Sequence, residues 1–90
     1  PPRSTLFPYT TLFRSLRDGE TRIDGKLPVN PSGGFSSHGE ALSAQALWQV
    51  IECANQLRGR CGERQVKNPK VAMAQTYGLM GNSGTTILTI

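Results

Sequence analysis

Within residues 46–59, ALWQVIECANQLRG, the apolar positions Leu47, Val50, Ile51, Ala54 and Leu57 stand at steps of 3, 1, 3 and 3. At about 3.6 residues per turn this spacing gathers them on one helical face. Leu42 and Ala46 extend the stripe backward, while Gln45, Gln49, Glu52, Asn55 and Gln56 populate the other faces. Trp48 falls off the stripe and is expected to pack on a neighbouring element. Gly59 suits a helix stop, with Arg58 at the negative end of the dipole. At the start, Ser37-His38-Gly39-Glu40 matches the S-x-x-E capping box, with a glycine inside it.

Outward from this helix, Arg60–Lys70 is a charged connector closed by Pro69. Val71–Gln75 (VAMAQ) predicts a buried strand, Tyr77–Gly84 (YGLMGNSG) a glycine-rich loop, and Thr85–Ile90 (TTILTI) a β-branched strand. Upstream, Leu27-Pro28-Val29 predicts the end of a strand, and Asn30–Gly34 (NPSGG) is a cluster of breakers in which Gly33-Gly34 permits close backbone approach. Leu16–Lys26 is polar, with turn-favouring steps at Asp18-Gly19 and Asp24-Gly25. The expected order is β-α-β-β, an α/β class. A helix covers one sheet face and leaves the other face and an edge bare, as at the end of a larger α/β domain.

The first fifteen residues, PPRSTLFPYTTLFRS, stand apart. Prolines interrupt any signal-like apolar stretch and no alternating face supports a strand pair. The string is similar, codon by codon, to the translation of a common short-read sequencing adapter. Residues 1–15 are therefore expected to be non-native and residues 16–90 to be the protein. The full chain of 90 residues carries a formal charge of +4. Without Arg3 and Arg14 it holds eight basic and six acidic residues, or +2. The basic character that suggests nucleic acid or a membrane surface thus largely disappears.

Other classes are excluded more directly. No apolar run approaches the roughly 20 residues that span a bilayer. Two cysteines are too few for a disulfide scaffold, and Cys53 and Cys61, eight apart, match no C-x-x-C spacing. A lone histidine with two distant cysteines makes no metal site. Arg58, Arg60, Arg64, Lys67 and Lys70 form a loose basic patch without interleaved aromatics, which reads as a solvated helix end and not as a nucleic-acid surface.

Three segments in order carry a family resemblance: DGKLPVNPSGG (24–34), QLRGRCGERQV (56–66) and the glycine loop of 77–84. Together they resemble the C-terminal half of thiolases, most nearly the thiolase-like lipid-transfer or sterol-carrier group, over roughly Gly19–Ile90. The resemblance implies a fold of two similar βαβαβαββ halves, with this chain the C-terminal β-α-β-β portion of the second. It implies carbon–carbon bond formation or cleavage on acyl-CoA thioesters, with coenzyme A thioester as substrate and no separate cofactor. It further implies a cytoplasmic homodimer or hetero-oligomer that engages neither nucleic acid nor membrane. In that chemistry a Cys thiolate from the first half attacks the thioester carbonyl, and a His in a Gly-His-Pro step activates it and helps bind an oxyanion.

The chain departs from that pattern. Aligned from Gly33-Gly34, the Gly-His-Pro step falls on Gly39-Glu40-Ala41, so Glu40 holds the place of the His, and Asn82-Ser83 stand where a second Cys often serves. Glu40 is a candidate general base or a capping carboxylate; His38, two residues earlier, is a candidate for the imidazole's task or a solvated loop residue. Asn30, Gly33, Gly34 and Gly81 are candidate substrate-binding positions, against ordinary turn glycines. Cys53 reads as a small core residue and Cys61 as part of the connector. The functional expectation is a fragment of a thiolase-like acyl-CoA acyltransferase, inactive by itself. The alternatives are a non-catalytic lipid- or acyl-CoA-binding or partner subunit, and a retro-aldolase-type member.

Overall fold

The computed structural model describes residues 8–40 and 42–90. Residues 1–7 of the adapter-like segment, and Ala41 of the Gly-Glu-Ala step, lie outside the described residues. Helix α1 spans Pro8–Arg17 and runs across the expected boundary at Ser15–Leu16. A series of turns follows, in which Gly19 adopts φ 79° and both Asp-Gly steps lie, as their composition predicts.

The long helix α3, Gln45–Leu57, forms where the apolar period places it. It stops through a Schellman arrangement: the Gly59 N–H donates to the Gln56 carbonyl at 3.2 Å and the Arg60 N–H to the Asn55 carbonyl at 2.9 Å. Gly59 stands at φ 70°, a left-handed conformation that glycine adopts without steric cost.

The start of the helix differs from expectation. Ser37 belongs to a separate single-turn helix α2, Phe35–His38, and Gly39 at φ 85° breaks the chain behind it. The chain re-enters through a 3-10 turn at Leu42–Ala44, and Ala44 precedes α3 without a side-chain cap. The S-x-x-E capping box therefore does not form, because its internal glycine takes a conformation no helix can continue. Leu42, in that turn, is exposed.

Strands β1 (Val71–Tyr77) and β2 (Ser83–Thr89) pair antiparallel, with Met73 opposite Ile87 and Ala74 opposite Thr86. A five-residue connection joins them, pinched by the Gly78 N–H donating to the Asn82 carbonyl at 2.7 Å. Helix α3 packs on β1 and, to a lesser extent, on β2. Alternation along β1 buries Ala74 and half-buries Ala72 and Thr76, whereas Val71, Met73 and Tyr77 point the other way and are exposed, as is Ile87 across from Met73. β1 is thus not the buried strand its apolar run predicts: only one face of the two-stranded sheet is covered.

A ribbon two strands wide also covers little of the helix. Leu57 is buried, Val50 and Ala54 are half-buried, and Leu47 and Ile51 stay exposed. Leu27–Val29, expected as a strand end, is irregular. Leu27 and Val29 donate to the Glu20 and Thr21 carbonyls at 2.9 and 3.0 Å, but Pro28 has no N–H and, among the described residues, no strand lies alongside to extend a ladder.

Candidate functional site

Between the Asn30–His38 segment, α3 and β1 lies an open cleft of about 590 Å³. Its first wall is made by the breaker cluster. The Gly33 N–H donates to the Asn30 carbonyl at 2.8 Å, and the Gly34 N–H reaches Ser32 Oγ at 3.4 Å. Asn30, Gly33 and Gly34 all have positive φ, at 48°, 96° and 68°. A Cβ on Gly33 would stand 2.5 Å from Ser37 Cβ, so both the backbone conformation and the crowding demand glycine there. This tight turn brings α2 across to α3, where the His38 and Trp48 rings meet edge to face with centroids 6.2 Å apart. Trp48 therefore packs off the apolar stripe, as its position on the helix predicts.

The sequence-derived candidates separate in space. Asn30, Gly34 and His38 line the cleft, and Gly33 belongs to the same turn without lining it. Glu40, beyond Gly39, is exposed and does not line it. Gly81 sits at φ 84° in the β1–β2 connection and does not line it either. Cys53 does, from α3.

The structure adds a polar cluster that the sequence did not announce. Arg64 grips the Glu52 carboxylate with Nε and Nη2 at 2.9 and 3.1 Å. Gln56, only 5% exposed, donates to the Arg64 carbonyl at 2.8 Å and accepts from the Val66 N–H at 2.9 Å. Gln65 accepts from the Cys61 N–H at 3.0 Å and donates to the Gln56 carbonyl at 2.9 Å. The buried Cys61 thiol approaches Glu52 Oε1 at 3.6 Å. All of these residues but Glu52 belong to QLRGRCGERQV, so the segment that carries the resemblance is the one that fastens the connector to the helix. Composition carried no signal for this, since each bond joins residues four to twelve positions apart through a turn that must first form.

The electrostatics follow from this geometry. The Arg64 guanidinium holds the Glu52 carboxyl below its ordinary value, against the opposing effect of partial burial. Burial pushes the Cys53 and Cys61 thiols up, and the neighbouring Glu52 charge adds to the rise in both. Glu52 and Arg64 line the cleft but neutralise each other. Gln49, also on the cleft, contributes the one buried side-chain oxygen or nitrogen without a hydrogen-bond partner among the described residues, its Oε1. An unpaired buried acceptor of this kind costs about 1–3 kcal/mol. Among the described residues no group of three His, Cys, Asp or Glu side chains could hold a metal ion, and no helix is long and apolar enough to cross a membrane.

Comparison with known proteins places these features in a family. Residues 11–90 match the family described as thiolase C-terminal domain-like. The chain is 44% identical over 77 residues to an acetyl-CoA acetyltransferase of Methanothermobacter thermautotrophicus, covering 86% of this chain and 20% of that protein. It is 51% identical over 57 residues to non-specific lipid-transfer protein-like 2 of Caenorhabditis elegans, covering 63% and 14%. It is 44% identical over 69 residues to sterol carrier protein 2 of Rattus norvegicus, covering 77% and 13%. The chain thus spans a fifth or less of the length of these relatives.

Proposed function

Because the chain belongs to the thiolase C-terminal domain-like family, we propose that it forms one wall of an acyl-CoA site and supplies no nucleophile of its own. The observation that carries this reading is the cleft beside the Gly33-Gly34 turn, whose walls hold no activated thiol. Attack on a thioester needs a thiolate, and the chain's two cysteines are both pushed toward the neutral thiol by burial and by Glu52. The nucleophile then comes from elsewhere in a longer parent. This segment contributes shape, apolar cover from Val29, Phe35 and Trp48, and neutral hydrogen-bonding groups.

Carbon–carbon bond exchange on an acyl-CoA thioester is the proposed reaction of that parent. Glu40 is its proposed proton acceptor, since it aligns with the activating His, and His38 stands at the cleft two residues away. A carboxylate exposed to water is a weak base, so this role requires another part of the parent to cover Glu40 and raise its proton affinity. The parent is proposed to assemble as a homodimer or hetero-oligomer.

The test on the present chain is direct. Incubation with acetoacetyl-CoA and free coenzyme A should give no cleavage above the uncatalysed rate, while acetyl-CoA should quench Trp48, the only tryptophan. Turnover by the isolated chain overturns the absence of a nucleophile; absence of any acetyl-CoA signal overturns the cleft as an acyl-CoA site.

A second reading is a non-catalytic lipid- or acyl-CoA-binding or partner subunit. It is favoured by Glu40 in place of His, by Asn82-Ser83 in place of Cys, and by the 51% identity to a lipid-transfer protein-like relative. A retro-aldolase-type member is compatible with the same substitutions. A cysteine at the nucleophile position in the parent's other half supports an enzyme, and its absence supports the subunit.

A further inference from the structure

We propose that β2 is the pairing edge for a second copy of this chain: two β2 strands meet antiparallel about Thr86 and join the two hairpins into one four-stranded sheet. The inference gives a surface to the assembly proposed above and requires no ligand in the cleft. Three observations converge.

The first is a row of unmade backbone bonds. The Ile90 N–H donates to the Lys70 carbonyl at 3.1 Å and the Gly78 N–H to the Asn82 carbonyl at 2.7 Å, one at each end of the hairpin. Bonded and non-bonded pairs alternate along an antiparallel ladder, so in the observed register the bonded residues of β2 are Gly84, Thr86 and Leu88. Ser83, Thr85, Ile87 and Thr89 turn their N–H and C=O groups away from β1. The sheet has two strands, and among the described residues no backbone group takes them. All of β2 except Leu88 is exposed, because α3 packs mainly on β1.

The second is the lack of a guard. Sheet edges are ordinarily kept from pairing by lysine, proline or a bulge. Residues 83–90, SGTTILTI, hold no charge and no proline, and β2 pairs with β1 residue for residue without a bulge. The outer edge of β1 differs. Lys67 and Lys70 precede it, and Met73, Ala74 and Gln75 line the cleft.

The third is self-complementarity. About a twofold axis at Thr86, Ser83 stands opposite the partner's Thr89 and Thr85 opposite the partner's Ile87. Every outward N–H of one strand then meets an outward carbonyl of the other, and a slip of one residue would undo all of them. On the helix side Leu88 comes over the partner's Gly84, where a Cβ would meet nothing within 4 Å. Thr86 meets its own copy, a favourable cross-strand pair, and no like charges face each other. A single strand pair is a narrow contact, so the dimer is of the weak, concentration-dependent class.

The experiment is sedimentation of the full chain, without ligand, from about 5 to about 500 µM, a span suited to a weak contact. The mass should rise from one chain to two and stop there, since a twofold contact closes on itself. Thr85→Pro removes an outward N–H and leaves the β1–β2 bonds in place, as prolines on sheet edges do. By symmetry it deletes two bonds per dimer and should weaken association about tenfold or more. Gln75→Pro, directly opposite on the other edge, should leave association unchanged. Should the variants fold poorly, hydrogen exchange of the unaltered chain provides the same test. Raising its concentration should slow the Ser83, Thr85, Ile87 and Thr89 amides and leave those of Val71, Met73, Gln75 and Tyr77 fast. A chain that stays monomeric, equal association in Thr85→Pro, or protection that fails to appear on the β2 edge overturns the inference. Stacking of the bare hairpin faces, the competing contact, would give the second of these results. Failure of acetyl-CoA to bind the cleft leaves this pairing standing, and a monomeric chain leaves the acyl-CoA reading standing.

Discussion

Arg64 holds Glu52 with two hydrogen bonds, Nε to Oε1 at 2.9 Å and Nη2 to Oε2 at 3.1 Å, across twelve positions of sequence. The pair closes the connector against α3 at the edge of the cleft, and a two-pronged contact fixes orientation as well as distance. Because the carboxyl is held below its ordinary value of 4.5, the folded form binds the Glu52 proton less readily than the unfolded chain does. The associated stability is fully present above that value and is lost as pH falls through the lowered one. Thermal melts should therefore decline as pH falls below 4.5. Glu52→Gln should decline less over the same interval; an identical decline would exclude this carboxylate as a source of the acid sensitivity.

Gln56 serves three partners from a buried position: the Arg64 carbonyl, the Val66 N–H and, more weakly at 3.5 Å, the Glu52 carboxylate. Gln56→Leu keeps the bulk and leaves the two backbone groups unpaired. It is expected to cost about 2–3 kcal/mol, read as a lowered midpoint in urea with an unchanged slope. A loss under about 0.5 kcal/mol would mean that water replaces the side chain at no cost.

Alkylation should report the state of the two thiols. Cys61 is 3% exposed and Cys53 half-buried, and burial pushes both thiols above their ordinary value of 9.0. At pH 7.5 iodoacetamide should label both more slowly than a free cysteine, Cys61 more slowly still, with both reaching the free rate in denaturant. Rapid labelling of Cys53 in the folded chain would reveal an activated thiol in the cleft and contradict the absence of a nucleophile.

Deletion of residues 1–15 bears on the adapter reading. α1 passes into the turns that follow through the Asp18 and Glu20 N–H groups, which donate to the Arg14 and Ser15 carbonyls at 2.8 and 2.9 Å. The helix-on-sheet layer is built by α3 with β1 and β2. The shortened chain is expected to keep its melting temperature within about 2 °C, well under the shift that a loss of 1 kcal/mol gives a domain of this size. A larger fall would show that the segment is part of the folded unit.

Local rules made α3, its Gly59 stop and the hairpin legible in the sequence, because period, left-handed glycine and β-branched runs act within a few residues. They misplaced the entry to α3, where Gly39 outweighs the box formed by Ser37 and Glu40. They also promised a strand at Leu27–Val29, which needs a partner strand that the described residues do not place beside it. For the candidate site, the Asn30–Gly34 breakers and the off-stripe Trp48 come together at one cleft. Glu52, Arg64 and Gln49 did not stand out. Their significance lies in which bonds are made or left unmade after folding, and no single-residue preference encodes that.

The bare face of the hairpin, with Val71, Met73, Tyr77 and Ile87 open to water, has a kinetic consequence. Folding of one chain is first order, whereas encounters between such faces are second order. Recovery on refolding should thus be governed by concentration more than by temperature, and dilution, not a stronger core, is what rescues yield.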